Sequence, residues 1–255
     1  MELVEYSVQE GVAVITLNRP PVNALNNQLI ADIDEAVGFA EDSEVRAVVI
    51  TGAPHFAAGA DITGFQKTFD AGGTERQASG LADAIARLAN LEKPVIAAIN
   101  GFALGGGLEI VMGADFRYLA ESAKVGQPEI LLGIIPGAGG TQRLSRLVGP
   151  QRCKELCFTG RHVKADEALA IGIADKVAKD EELMELAMKD AAAFAAGPTQ
   201  AYAAVKRAVS RGFDRPVEEG LAIEAEQFAR AFASQDARIG VAAFLAKEKP
   251  EFTGA

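Results

Sequence analysis

Two glutamates stand where a charge is costly. Glu109 ends the run Leu104-Gly105-Gly106-Gly107-Leu108-Glu109 and is followed by Ile110, Val111 and Met112. A helix with those neighbours is apolar nearly all round and should be buried. Glu129 lies in a second apolar run, GQPEILLGIIPG, from Gly126 to Gly137. A buried carboxylate must be paired or put to use. If the fold brings the two together, desolvation and like-charge repulsion raise one pKa, leaving an acid and a base at neutral pH. Plainer readings stand beside this one. Glu109 would form a structural ion pair with Arg117 or Arg143, and Glu129, behind Pro128 at a helix N1 position, would complement a helix dipole.

The glycines before Glu109 add a second function. Gly105, Gly106 and Gly107 fall between a strand and a helix, where glycine lets backbone approach a ligand and leaves amide donors free. Such donors hold a phosphate or a developing oxyanion. The alternative is close strand–helix packing. No dinucleotide fingerprint is present: GxGxxG is unmatched here, and the run from Gly137 has Gln142 where the last glycine belongs. No GxxxxGK[ST] occurs either. A third segment, Phe56-Ala57-Ala58-Gly59-Ala60-Asp61-Ile62, puts small residues just after a strand, as ligand crevices of parallel sheets do. Asp61 alone reads more simply as an N-cap. His55 and His162 have no GxSxG nucleophile to serve. Cys153 and Cys157 lack zinc-site spacing and read as small core residues on one helix face.

The elements that must carry these residues alternate. Strands are expected at 11–18 (GVAVITLN), 46–52 (RAVVITG), 94–100 (PVIAAIN) and 116–120 (FRYLA), with helices at 27–41, 75–91 and 105–113. Strand–helix alternation implies right-handed crossovers and a largely parallel sheet. From residue 140 onward the pattern is helical, with only 175–178 strand-like. Apolar stripes mark helices at 181–195, 198–211, 216–233 and 235–246. The division is an α/β core over 1–195 and a helical region over 196–255, with Gly197-Pro198 as its marker.

Composition narrows the class. The 255 residues are 49% hydrophobic and 24% charged, with a net charge of −10. That is an ordinary globular composition, and it disfavours a general nucleic-acid or anionic-membrane binder. Pro94 to Ala114 is nearly uncharged but holds five glycines and a proline, so it reads as strand, loop and helix, with no membrane span. The N-terminal MELVEYSVQEG has neither the basic start nor the apolar run of a signal peptide, and a cytoplasmic enzyme is the expectation.

Four longer segments carry a resemblance: NRPPVNALN at 18–26, FAAGADI at 56–62, KPVIAAINGFALGGGLE at 93–109 and GQPEILLGIIPGAGGTQRL at 126–144. With these the sequence strongly resembles the crotonase, or enoyl-CoA hydratase/isomerase, superfamily, and within it the hydratase branch. Weaker similarity continues through AFLAKEKPEF at 243–252. The resemblance implies a spiral of ββα turns with a helical C-terminal part that drives trimerisation, usually as a dimer of trimers. It implies an acyl-CoA thioester substrate, no metal or redox cofactor, and no nucleic-acid or membrane partner.

The resemblance also places residues. The N–H groups of Ala60 and Gly106 match the family's oxyanion hole, Glu109 and Glu129 its two catalytic glutamates, and Gly137 a backbone contact that helps position water. The implied reaction is syn addition of water across C2–C3 of a 2-enoyl-CoA. Glu109 orients and deprotonates the water, Glu129 relays a proton to C2, and the division between them stays open. Ala24, Leu25, Ala58, Ala60, Asp61 and Ile62 fall where the family cradles coenzyme A. Phe244 and Lys247 match positions that reach coenzyme A from a neighbouring subunit. Thr63 stands where many hydratases have a lysine near the nucleotide phosphates. Residues 64–80 fall where the family's variable acyl pocket lies. Isomerases and other relatives typically replace one of the acids. The double glutamate therefore favours a hydratase over a 3,2-enoyl-CoA isomerase or a non-catalytic acyl-CoA binder.

Overall fold

The computed structural model describes residues 1–64, 70 and 79–255. Its main sheet has six strands in the order β1 (Val4–Gln9), β2 (Val12–Leu17), β3 (Ala47–Gly52), β4 (Val95–Ile99), β6 (Phe116–Ala120) and β9 (Lys176–Ala178). Only β1 runs antiparallel, paired with β2 from Val4 opposite Leu17 to Gln9 opposite Val12. The other neighbours are parallel. Every residue of β3 and β4 is buried, as expected for central parallel strands covered on both faces. A smaller sheet joins β5 (Phe102–Leu104), β7 (Lys124–Gly126) and β8 (Val163–Lys164).

The chain visits the two sheets in turn, and this makes the spiral. β3 belongs to the main sheet, and Ala57 beyond it forms a parallel bridge with Ala103 of β5. The next turn runs from β4 to β5 and into helix α3 (Gly106–Val111), and the one after from β6 to β7 and the short 3-10 helix Pro128–Leu132. Each turn therefore ends in a loop or helix on the same side, at the carboxyl ends of the parallel strands. Functional loops are expected there.

Local sequence accounts for the helices around this sheet. α1 (Asn27–Phe39) starts at Asn26, whose side chain accepts from Leu29 N–H at 2.8 Å, and it buries Leu29, Ile33, Ala36 and Val37. α2 is described over Ser79–Asn90 and buries Leu81, Ile85 and Leu88. Residues 75–78 of the expected helix and most of the expected acyl-pocket segment, 64–80, lie outside the described residues. α4 (Gly140–Val148), α5 (Pro150–Thr159), α6 (Ala165–Ala170) and α7 (Leu183–Ala195) follow. The last three helices are α8 (Thr199–Gly212), α9 (Val217–Phe232) and α10 (Gln235–Ala246). α8 and α9 pack closely, with Arg207 Nε donating to Gln227 Oε1 at 2.6 Å.

Four strands go beyond the sequence expectation. β1 leaves only Val4 buried, so it lacks the alternation that marks a half-buried strand. β5, β7 and β8 have three, three and two residues, too few for any period to register. β8 also interrupts the region expected to be helical apart from 175–178. Pro128 does open a helical turn, but a 3-10 one.

Candidate active site

Two backbone segments run side by side at the ends of β3 and β4. Ala57 N–H donates to Phe102 O at 2.9 Å, and Leu104 N–H to Ala57 O at 3.0 Å. The approach requires glycine at 107: a Cβ there would stand 2.2 Å from Ala57 O. On its other side, residues 58–61 pair with 22–25. Ala58 N–H donates to Val22 O at 3.0 Å, Leu25 N–H to Gly59 O at 2.8 Å and Asp61 N–H to Leu25 O at 2.9 Å. Gly59 adopts φ +107°, which an L side chain rarely takes.

This pairing leaves two amides unused. Leu25 engages Gly59 and Asp61, so the Ala60 N–H between them donates to no protein acceptor among the described residues. Gly106 is the first residue of α3, where N–H groups lack an intrahelical acceptor. Its N–H likewise has no partner among the described residues.

Both glutamates close on the same place. A Cβ at Gly105 would stand 3.2 Å from Glu129 Oε1, and one at Gly106 would stand 4.0 Å from Glu109 Oε2. Every residue of α3 is buried, and Glu109 is only 3% exposed. Its Oε1 accepts N–H bonds from Ala138 and Gly140, each at 2.7 Å. Burial pushes the Glu109 carboxyl up, against the lowering effect of those two donors and of the Arg143 charge. The expected ion pair with Arg117 does not form, because Arg117 is bound to Asp175 at 2.9 Å. Arg143 contributes a field without a salt bridge.

Glu129, on the 3-10 helix, is half-buried and less compensated. Burial, opposed by its own N–H and reinforced by the Glu109 charge, raises its carboxyl to about 7. The Gln127 side chain, 1% exposed, faces that carboxylate. With its NH2 turned toward Glu129 it donates to Oε1 at 2.7 Å and to Oε2 at 3.0 Å.

The remaining expected residues divide into three groups. Ala24, Leu25, Ala58, Ala60, Asp61 and Ile62 form the strip paired along the unused Ala60 amide, with Leu25 buried and Ile62 exposed. The Asp61 carboxylate caps the short 62–64 turn by accepting from Thr63 N–H at 3.2 Å, and it also binds Arg19 at 2.7 Å. Gly137 is exposed beside Ala138, a donor to Glu109. Phe244 and Lys247 lie at the end of α10, both exposed, and no hydrogen bond joins them to this strip among the described residues. Arg19, Asn23 and Gln127 are site-shaping residues that the spacing of types did not single out. Loop arginine and asparagine carry no periodic signal, although the first two lie within NRPPVNALN.

Other chemistry has little support. His55 stacks on Phe102 with centroids 4.6 Å apart, and its Nδ1 is buried without a partner. His162 is exposed. Burial, then the neighbouring Cys153, pushes the Cys157 thiol up to about 12, far from a reactive thiolate. A cleft of about 660 Å³ lined by Arg46, Arg87, Lys93 and Thr199 lies at the opposite, amino ends of β3 and β4. Arg46 there donates to Thr199 Oγ1, Gly197 O and Phe252 O, tying the C-terminal region to the core. No helix among the described residues is long and apolar enough to cross a membrane.

The spiral α/β fold thus gathers two carboxylates and two amides without protein acceptors at the ends of its parallel strands. The chain belongs to the enoyl-CoA hydratase/isomerase family, whose model matches residues 7–255. It is 46% identical over 248 residues to a short-chain-enoyl-CoA hydratase of Clostridium acetobutylicum, covering 95% of each chain. It is 43% identical to a crotonyl-CoA hydratase of Syntrophomonas wolfei over 96% of this chain and 95% of that one. The fold superposes on the crystal structure of an enoyl-CoA hydratase from Bacillus anthracis with a TM-score of 0.91. The two are 36% identical, over 99% of this chain and all of the other.

Proposed function

We propose that this protein is an enoyl-CoA hydratase acting on short-chain trans-2-enoyl-CoA thioesters, adding water to give the 3-hydroxyacyl-CoA. The observation that carries the reading is the convergence of two unlike carboxylates and two unpartnered amides around the Gly105–Gly106 peptide. In this reading the thioester oxygen accepts from the N–H groups of Ala60 and Gly106. Those donors act on the charge that grows as C3 is attacked, and one such donor contributes about 10²–10³ in rate. Proton transfer by a positioned carboxylate contributes about 10²–10⁴ more.

Glu109, where two N–H donors and the Arg143 charge oppose the rise caused by burial, is the carboxylate fitted to act as the base. It accepts a proton from water as the oxygen bonds to C3. Glu129, raised to about 7, is the group fitted to deliver a proton to C2. The proton gained by Glu109 returns to Glu129 before the next cycle, so one water is added and the protein is unchanged. The addition involves no net redox change, and the reading needs no redox group or metal. Gly137 helps hold the water, and the strip 24–25 and 58–62 lies along the coenzyme A chain. Phe244 and Lys247 reach coenzyme A bound to a neighbouring copy, which calls for an assembly of three or six chains. The reading places the protein in the cytoplasm and separates its core, 1–195, from a helical assembly region, 196–255.

The test is product identity. Crotonyl-CoA incubated with the protein in H2(18)O should yield 3-hydroxybutyryl-CoA carrying one heavy oxygen, by chromatography and mass spectrometry. A shifted double bond with no oxygen gained would favour an isomerase.

A further inference from the structure

The Ala60 N–H is aimed by the peptide it belongs to. In a trans peptide the C=O and N–H point in opposite directions, and the Gly59 carbonyl is held by Leu25 N–H at 2.8 Å. The Ala60 amide therefore faces away from segment 22–25. Its direction is only as well defined as the seating of Leu25 against Gly59.

One side chain spans that contact from both ends. Arg19 Nη1 donates at 2.6 Å to the carbonyl of Ala24, the residue before Leu25. Its Nη2 donates at 2.7 Å to Oδ2 of Asp61, the residue after Ala60. Arg19 is itself anchored, because its backbone N–H donates to Asn23 Oδ1 at 2.6 Å. Asn23 has no exposed surface, and its Nδ2 donates to His55 O at 2.8 Å and Phe56 O at 3.1 Å. Asp61 is fixed from the other side by the Thr63 hydroxyl at 2.6 Å. Thr63 and then Arg19 hold its carboxyl below the usual carboxylate range. A planar guanidinium can bridge a carbonyl and a carboxylate at once, which a lysine ammonium does less well.

The geometry points to Arg19 as a positioning residue: by clamping Ala24 O and Asp61 it sets the direction of the Ala60 N–H toward the thioester oxygen without touching substrate. This inference rests on the hydratase reading of the two amides. The Arg19 and Asp61 side chains are 28% and 18% exposed. Partly solvated ion pairs add little to folding stability, so the loss should appear in catalysis.

The test compares Arg19→Ala and Arg19→Lys in the full chain, using crotonyl-CoA kinetics and the infrared carbonyl stretch of bound butyryl-CoA labelled with 13C at the thioester. For Arg19→Ala, kcat should fall about 10- to 100-fold with KM within about threefold, as misaligned groups do. The stretch, lowered on binding to the native protein, should move back toward its value in water. Arg19→Lys should lie between. An unchanged kcat and stretch would overturn the inference, as would a raised KM with the stretch unmoved, which would make Arg19 a coenzyme A contact. If Arg19→Ala does not fold, Asp61→Asn keeps the shape and should show the same split, and full kcat in it overturns the clamp. Native protein that binds butyryl-CoA with no lowered stretch would instead defeat the underlying reading of the amides.

Discussion

Glu109 and Glu129 close on the Gly105–Gly106 peptide from two sides, yet only Glu109 is held by N–H donors from another segment of backbone. Glu109 Oε1 accepts from Ala138 and Gly140, whereas Glu129 has its own N–H and the Gln127 amide, and sits in the field of Glu109. The asymmetry sets the two chemically identical side chains apart: N–H donors and the Arg143 charge oppose the rise that burial causes at Glu109, while Glu129 keeps its proton to about pH 7.

This separation sets the pH dependence. Hydration needs Glu129 protonated, so its kcat should decline as pH rises through about 7. Dehydration of 3-hydroxybutyryl-CoA needs Glu129 ionised and Glu109 protonated, which is the same single proton on the pair, so its kcat should decline as pH rises through the same region. Profiles of both directions on one preparation check this, and a hydration rate that holds or climbs as pH rises past about 7 would contradict it.

The same shift acts on folding. A carboxyl whose folded pKa lies above its unfolded one stabilises the fold at low pH and loses that contribution as pH rises through the folded value. For Glu129 the window runs from the ordinary glutamate value to about 7. Glu129→Gln should therefore raise Tm relative to the native protein more at pH 8 than at pH 5, measured by thermal melting.

Glycine at 107 is a packing requirement. A Cβ there meets the Ala57 carbonyl oxygen at 2.2 Å, and that oxygen already accepts from Leu104 N–H. Gly107→Ala should lose about 1–3 kcal/mol or more through forced separation of the two segments. At Gly106 a Cβ meets the side-chain tips of Leu25 at 2.8 Å and Leu81 at 3.0 Å. Those tips can shift, so Gly106→Ala should cost less stability. Denaturant titration ranks the two.

The last helices present apolar surface that no part of the described chain covers. Phe228, Phe232, Phe244 and Leu245 are 67%, 66%, 82% and 76% exposed. Light scattering should give three or six chains, and Phe232→Glu should shift the mass downward. A native monomer would remove the argument for an active site shared between copies.

Much of the site was legible in the sequence because burial of charge is a strong signal. LEIVM around Glu109 announced a buried carboxylate, and the whole of α3 is buried. What neutralises that carboxylate was not legible: its partners are the N–H groups of Ala138 and Gly140, and backbone donors look alike whatever side chain they bear. Central strands such as β3 were readable from continuous apolar runs. β5, β7 and β8 were not, because two or three residues define no period. Arg19 and Asn23 escaped for a related reason, since their contacts join residues up to 42 apart and only the fold brings these together.

The most direct test of the account follows the conjugated-enoyl ultraviolet absorbance of crotonyl-CoA with the native protein, Glu109→Gln and Glu129→Gln. The account predicts rapid loss with the native protein. Each variant should be slower by a factor of about 10² or more while binding coenzyme A near normally. No loss with the native protein despite measurable binding, or full activity in either variant, would contradict it.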